Sequence, residues 1–409
     1  MAALARVLVA RGHSVVFLHI LDVAPTIARL GFDFEPVGIA THPPGWLDHA
    51  LRNAGRANTL PGLLAFIRDA ASITDMLCRT LPEALARLSV DFILADQNEA
   101  AGGMSAYRAN RPFVTIAAAL PLNWERGIPP PFVGWRYGES LWHDRRNSAG
   151  AYVGRLVAKP ITDVIGSYVR QWRLGQGHQI DDFLSGFAQV SQLVPSLDFP
   201  RRWLSGCFHY CGPLRDVPMS PVTPMERGSR RAFASLGTLQ GHRHRLFERI
   251  ADAAVGCGLE LTIAHGGLLA EEDAVRLSRR ANVHDFVQHN QILPQVDVAV
   301  LHGGLNTVLD ALALGVPLVV VPLAFEQGAI AARVARSGSG RIFQRFRPGA
   351  APLEAVLKDV VANPSYSAAA AKVRNDIAAS GGSGGAADIV ETILRTGQPV
   401  LDEARLMAS

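Results

Sequence analysis

The run LHGGLNTVLDALALGVPLVVVPLAFEQGAIAARVARSGSG, Leu301 to Gly340, constrains the fold more than any other part of the chain. It follows VDVAVL, a short β-rich run, and HGG breaks that run as a turn. LNTVLDALAL carries apolar residues at helical spacing, PLVVVP is a second buried strand, and GAIAARVARSG is a helix that ends at Gly338. Strand, turn, helix, strand, loop, helix in this order predicts parallel strands covered by helices.

In such a unit the loop at the strand's C-terminal end and the first turn of the next helix face a ligand crevice. Free N–H groups and the positive helix end there attract phosphate oxygens. His302 stands at the strand end, Gly303 and Gly304 let backbone approach closely, and Asn306 and Thr307 offer polar side chains in the first turn. Asp310 lies one turn beyond Asn306 on the same face, able to accept from hydroxyls. Glu326 and Gln327 put a carboxylate and an amide side by side, suited to a vicinal diol. HGG alone reads equally as a tight turn, and EQ alone as a polar loop. Together and in this order they predict a site for phosphates, a ribose and a hexose, that is, a nucleotide sugar. The run is not the G-x-G-x-x-G fingerprint, which argues against an oxidoreductase.

The segment resembles the donor-binding signature of the family 1 UDP-glycosyltransferases, His-x-Gly-Gly-x-Asn-Thr/Ser with an acidic residue four positions past the Asn and a later Asp-Gln pair. The resemblance implies an α/β chain of GT-B fold, two Rossmann-like domains facing across a cleft. It implies that His302 contacts the donor phosphates with Asn306 and Thr307 beside it, that Asp310 binds the ribose, and that Glu326 and Gln327 bind the sugar. Glu326 departs from the family's usual Asp. Upstream, in VHDFVQHNQIL, Phe286 and Val287 match the segment that packs on the base, and His289 stands where the family usually has Gln. THPPG, TDMLCRTLPEAL, ADQNEAAGG, AAALPLN, SQLVPSLDFPR and SLGTLQGHR are similar to the zeaxanthin glucosyltransferase branch of that family and span nearly the whole chain.

A chain of 409 residues, 48% apolar and 19% charged, suggests two packed domains and excludes disorder. The net charge of +4 is spread along it, and no basic block interleaves with aromatics, so no nucleic-acid partner is expected. Cys78, Cys207, Cys211 and Cys257 show no C-x-x-C or zinc-site spacing and read as free thiols of a reducing cytosol. The apolar stretch around Ala311–Phe325 is broken by Gly315, Pro317 and Pro322 and is too short to span a bilayer. The expected location is cytoplasmic, with peripheral contact to the inner membrane face left open. The N-terminal MAALARVLVARGH reads as an amphipathic helix ending at Gly12, not a signal peptide.

Strands SVVFLHI, FEPVGIA, VDFILAD and RPFVTIAAAL alternate with helical stretches, of which Leu60–Leu88 is the longest. An irregular, aromatic stretch runs from Pro121 to Tyr137, and helices follow to about Phe187. The expected domains are 1–213, binding the acceptor, and 231–409, binding the nucleotide sugar. They are joined by a Pro- and Ser-rich linker, 214–230, and a final helix, about Ala386–Thr396, crosses back by the resemblance.

Inverting transfer of a glycosyl group needs a base for the acceptor hydroxyl and stabilisation of the leaving phosphate. The second is visible in the signature, and no Asp-x-Asp-like metal motif accompanies it, so neither metal nor cofactor is expected beyond UDP-glucose as co-substrate. For the first, the resemblance makes Asp96 the carboxylate that orients a His base, with a helix N-cap as the lesser alternative. The base itself has no counterpart. The family keeps it between the first strand and first helix, and here only the helix precedes Gly12-His13. His13 matches a structural position. The expectation is a start placed too late, with a natural protein that extends upstream of Met1 and a central strand missing from the sheet. The rival is a variant in which His19 or His42 substitutes. Ser235, Gly237 and Thr238 of SLGT could reach the diphosphate or form a mere turn, and His265 reads as a cap or surface residue. Trp124, Phe132, Trp135 and Tyr137 could line an apolar acceptor channel or simply pack as a loop. The reading is glucosyl transfer from UDP-glucose to a hydroxyl of a carotenoid such as zeaxanthin. The alternatives are the same chemistry on a macrolide or other lipophilic alcohol, or a chain that binds the nucleotide sugar with little turnover.

Overall fold

A computed structural model describes residues 1–57, 59–175, 177–215, 229–238, 240–344 and 352–402. Most of the expected linker, 216–228, lies outside the described residues.

The N-terminal half holds the strands β1 (Val16–His19), β2 (Asp33–Pro36), β3 (Ile93–Asp96), β4 (Phe113–Ala117), β5 (Ala188–Ser191) and β6 (Phe208–Tyr210). The C-terminal half holds β7 (Arg230–Ser235), β8 (Leu259–Ala264), β9 (Asn282–His284), β10 (Val298–Leu301), β11 (Leu318–Val320) and β12 (Gly340–Ile342). Around them pack α1 (Ala2–Ala10), α2 (Leu60–Leu88), α3 (Ala100–Ala109), α4 (Leu141–Val157), α5 (Leu305–Ala313), α6 (Gln327–Ser337) and α7 (Gly382–Thr396), with shorter helices between.

The C-terminal sheet is fully parallel, in the order β12-β11-β10-β7-β8-β9. Period-two alternation fills both of its faces. Phe233, Ala299, Leu301, Leu318 and Val320 enter one core with α5 and α6. Ala232, Ala234, Val298, Val300 and Val319 enter the other. The chain leaves β7 toward β8 and β9 and returns on its other side through β10. That reversal opens a crevice at the carboxyl ends of β7 and β10.

The N-terminal strands form two separate parallel ladders, β1-β2 and β3-β4-β5-β6. The two pieces nevertheless share layers. Leu18, Ile20 and Val37 pack with α2 and α3 residues such as Leu77, Ala101 and Met104. On the opposite side Val15 packs with Leu94, Val114 and Ile116 under α1 and α7. The result is two ladders under shared helices, with no strand pairing between them among the described residues.

α2 starts where Thr59 accepts from the Gly62 N–H at 3.2 Å and ends at Ser89 in a left-handed conformation. α7 packs on α1 through Leu4, Leu8, Ala386, Val390 and Ile393, so the last helix belongs to the core of the first half. It is longer than the sequence pattern predicts because Gly382, Ser383, Gly384 and Gly385 are helical too. After β5, Pro195–Leu197 form one 3-10 turn.

Candidate active site

Ser235 and Leu301 are register partners at the carboxyl ends of β7 and β10, so the SLGT and HGG turns lie side by side. The His302 backbone N–H donates to the Ser235 carbonyl at 3.2 Å. The Ser235 hydroxyl accepts from the Gly237 N–H at 3.3 Å, which sets the turn.

The His302 ring rests between two glycines. A Cβ on Gly237 would stand 2.7 Å from its Cε1, and one on Gly304 would stand 2.6 Å from its Nε2. Both distances are impossible for a side chain, so these glycines exist to admit the imidazole. Its Nδ1 is shut from solvent without a hydrogen-bond partner. Burial pushes its pKa down to about 4, and the ring is neutral at pH 7. A neutral imidazole left with an unpaired polar atom at the head of α5 suits a hydrogen bond to a ligand oxygen, not an ion pair. No side chain caps α5 at Gly304, which leaves its first N–H groups free for an anion.

Gly303 has φ +93°, and a Cβ there would meet the Gln327 carbonyl and Val320, each at 3.0 Å. The HGG turn therefore presses against the loop that carries Glu326 and Gln327. The Gln327 side chain is buried, and its Oε1 accepts from the Leu323 and Ala324 N–H groups at 2.8 and 2.9 Å. It builds the loop with its oxygen and keeps only its NH2 for a ligand. Glu326 is half-buried, and its carboxylate has no hydrogen bond or ion pair among the described residues. Phe325 before it takes a left-handed φ of +52°, and its ring meets Phe66 of α2 edge-on at 5.5 Å.

Asp310 is not a free carboxylate. Its Oδ1 accepts from Arg215 Nε at 2.7 Å and its Oδ2 pairs with His289 Nδ1 at 3.0 Å. Asp310, expected beside the ribose, and His289, expected beside the base, are thus in contact, and each carboxylate oxygen retains a further lone pair. Arg215 also donates to the Asn306 carbonyl. Asn306 Oδ1 accepts from Gln192 Nε2 at 3.1 Å, a contact from the first half onto α5. Thr238 and Phe286 are exposed, Phe286 by 70%, with its ring over the turn at Gly267. Val287 packs into the core beneath. His265 is buried, held by Asp285 at 3.0 Å and accepting from the Leu269 N–H at 3.2 Å. It caps a turn and is not a surface residue.

In the first half, Asp96 ends β3 and its Oδ1 accepts from the Asn98 N–H at 2.8 Å. The N-cap of α3 is Glu99, which accepts from the Ala101 N–H at 3.0 Å and from the Thr74 hydroxyl at 3.2 Å. Burial pushes the Glu99 pKa up to about 7. Both ring nitrogens of His42 are engaged by hydroxyls. Its Nδ1 meets Thr41 Oγ1 at 2.9 Å, its Nε2 meets Ser72 Oγ at 3.2 Å, and the residue is buried against Trp46. His19, at the end of β1, has an edge open to solvent. Protein around its ring lowers its pKa, and the Asp96 carboxylate opposes that shift. Of the two substitutes only His19 stays near Asp96. His13 bonds Glu391 of α7 at 3.1 Å, a structural contact.

The aromatic stretch 121–137 forms neither helix nor strand, and its rings are largely engaged. Trp135 and Phe132 lie on Gly150 and Gly154 of α4, and Tyr137 stacks on Phe199 at 5.5 Å. Trp135 and Tyr137 pack within the loop, whereas Phe132 is half exposed. Trp124 is half exposed, with the Arg155 guanidinium 6.0 Å from its ring.

Arg215, Gln192 and Glu99 had no signal as site residues in the sequence. The first two lie far from the signature in the chain, and Glu99 is one polar residue among several in ADQNEAAGG. Among the described residues no three His, Cys, Asp or Glu side chains gather as a metal site, and no helix is long and apolar enough to cross a membrane.

Comparison with known proteins agrees with this arrangement. The family described as erythromycin biosynthesis protein CIII-like, C-terminal domain, matches residues 253–393. A zeaxanthin glucosyltransferase of Pantoea ananas is 39% identical over 406 residues, 97% of this chain and 93% of that protein. A zeaxanthin glucosyltransferase of Pseudescherichia vulneris is 40% identical over 347 residues, 84% of this chain and 82% of that one. The crystal structure of CalG4, the calicheamicin glycosyltransferase, superposes with a TM-score of 0.74 at 20% identity, over 97% of this chain and 95% of that one, a likeness of fold. The chain therefore belongs to the family 1 UDP-glycosyltransferases, enzymes of GT-B fold with two Rossmann-like domains.

Proposed function

We propose that this glycosyltransferase moves glucose from UDP-glucose to a hydroxyl of a carotenoid such as zeaxanthin, with inversion at the anomeric carbon and without a metal or cofactor. The carrying observation is the neutral His302 held between Gly237 and Gly304 at the uncapped head of α5. The diphosphate would lie there, the ribose beside His289 and Asp310, the base against Phe286 and Val287, and the hexose beside Glu326 and the Gln327 NH2. Leaving-group charge would then fall on preorganised N–H donors, the role a metal fills elsewhere. Residues 1–213 would supply the acceptor side and 231–409 the donor side. The acceptor reading draws on the two zeaxanthin glucosyltransferases similar over most of the chain.

The step requires the acceptor oxygen to lose its proton as it bonds to C1, while the bond from C1 to the phosphate oxygen breaks and UDP departs. His19 is the base we assign to this chain, its charge after proton transfer offset by Asp96.

The test is incubation with UDP-glucose and zeaxanthin in the presence of a chelator, with products identified by mass and by anomeric configuration. Zeaxanthin β-glucosides from the α-linked donor are the expected products. Glucosylation of a macrolide or another lipophilic alcohol, with zeaxanthin untouched, would overturn the acceptor. UDP-glucose binding without any transfer would overturn the enzyme reading for this chain. His19→Ala should reduce turnover by about 10²–10⁴-fold at unchanged UDP affinity, and unchanged turnover removes His19 as the base.

A further inference from the structure

The surface of α4 carries apolar side chains where a soluble helix would carry polar ones. Trp142, Tyr152 and Leu156 are 63%, 64% and 55% exposed, and Val153 beside them is exposed too. With Arg145 and Ala149 they follow helical spacing and form one outward stripe along the helix. The inner side explains the inversion. Asn147 is the one buried residue of α4, donating to the Gly127 carbonyl at 2.8 Å, and Gly150 and Gly154 receive Trp135 and Phe132. α4 is thus seated on its glycines and a polar side chain, with its apolar stripe left outside.

Arginines outnumber carboxylates around the stripe, and the carboxylates there face arginines: Glu139 is beside Arg202 at 3.5 Å. Asp144 is taken by Arg126 at 3.3 Å, whereas the exposed Arg145 and Arg136 have no carboxylate partner among the described residues. Pairing with a second copy about a two-fold axis would set this arginine-bearing stripe against itself. An anionic surface would complement it. Aromatic rings and arginines around an aliphatic stripe are what a helix lying at the headgroup level of a bilayer presents, and no described helix is built to span one. The position also fits. The aromatic loop beneath α4 reaches α6, where a Cβ on Gly134 would stand 3.2 Å from Gly328, next to Gln327.

We propose that α4 docks the enzyme on an anionic lipid surface, so that an acceptor dissolved in the bilayer is delivered to the side of the molecule where the sugar loop lies. The delivery part rests on the carotenoid reading above, and the docking part does not.

The experiment is co-sedimentation of the full chain, without substrates, with vesicles of phosphatidylcholine and of phosphatidylcholine mixed with phosphatidylglycerol. The chain should partition to the mixed vesicles, less so at high salt. The triple variant Trp142→Ser, Tyr152→Ser, Leu156→Ser should lose about tenfold or more of that partition, with unchanged UDP binding by calorimetry. Arg145→Glu, at an exposed and unpaired position, should weaken it several-fold and serves if the triple variant fails to fold. Absence of binding to either vesicle overturns docking, as does binding that both variants leave intact. A dimer in solution that the triple variant dissociates, without lipid binding, also overturns it by making α4 a self-contact. Vesicle binding that follows α4 in a chain inactive on zeaxanthin would refute the carotenoid reading alone.

Discussion

At the scale of single residues the donor site depends on space as much as on chemistry. His302 is neutral because burial holds its pKa at about 4, against an ordinary value of 6.5. Between those values the unfolded chain binds the proton and the folded chain does not. Stability therefore rises with pH across this window, and on acidification from about pH 6.5 to 4 the group removes on the order of 2–3 kcal/mol. His302→Gln, which has no such proton, should lose correspondingly less between neutral and mildly acidic pH in urea titrations. Identical pH dependence in the two proteins would show that His302 is not the buried titrating group. Gly304→Ala separates the cradle from the ring. Gly304 has an ordinary φ of −64°, so only the clash with the imidazole is added. UDP-glucose affinity should fall about tenfold or more, as it should for His302→Ala, since each displaces or deletes one strong hydrogen bond to the donor. Full affinity in Gly304→Ala would mean that the imidazole does not meet the ligand in this pose.

At the scale of elements, what was legible in the sequence was local. HGGLNT could be read because a strand end, two glycines and a helix start are consecutive, and so could α2 and the strands β10 and β11. Arg215 on Asp310 and Gln192 on Asn306 could not, because folding brings them from distant parts of the chain and neither sits in a pattern of its own. The first half divides into two ladders, β1-β2 and β3-β4-β5-β6. What the sequence did not show is that α1, α3 and α7 still cover both pieces, through Leu4, Met104 and Val390. Gln327 has a structural role that its place in the sequence does not show. The reading of a sugar ligand remains a proposal, while its oxygen visibly ties two N–H groups of the loop 323–327. Gln327→Ala should therefore act twice. It should weaken UDP-glucose with little change in UDP affinity, and it should lower stability by about 1–3 kcal/mol, because two buried donors lose their acceptor. Equal affinity losses for UDP and UDP-glucose would take the residue off the sugar. An unchanged melting midpoint would take it out of the loop's scaffold.

At the scale of the whole molecule the two halves are joined by a buried charge cluster that the donor site does not use. Asp198, in the 3-10 turn after β5, accepts from Arg201 at 3.2 Å, from Arg333 of α6 at 2.8 Å and from the Tyr210 hydroxyl at 2.9 Å, with both Asp198 and Arg333 buried. Burial by itself would raise the pKa of this carboxyl, but the two guanidinium groups outweigh it and hold the group well below the usual carboxylate range. The Arg333 guanidinium also lies 4.1 Å from the Phe199 ring centre, so α6 is gripped by a segment of the first half on one side while its N-terminus carries the loop 323–327. The consequences of breaking this cluster are asymmetric. Asp198→Asn leaves two buried cations facing a neutral amide and should cost about 3–5 kcal/mol. Arg333→Met leaves Asp198 with Arg201, Tyr210 and the Phe199 N–H at 2.8 Å and should cost clearly less. Urea denaturation of both variants, followed by a signal from each half, measures the difference. The Asn variant should unfold in two separated steps, because the lock between the halves is lost while each sheet keeps its own core. Equal costs for the two substitutions, or a single unchanged transition in both, would mean that the halves are held together by their apolar contacts and that the Asp198 cluster only fills space between them.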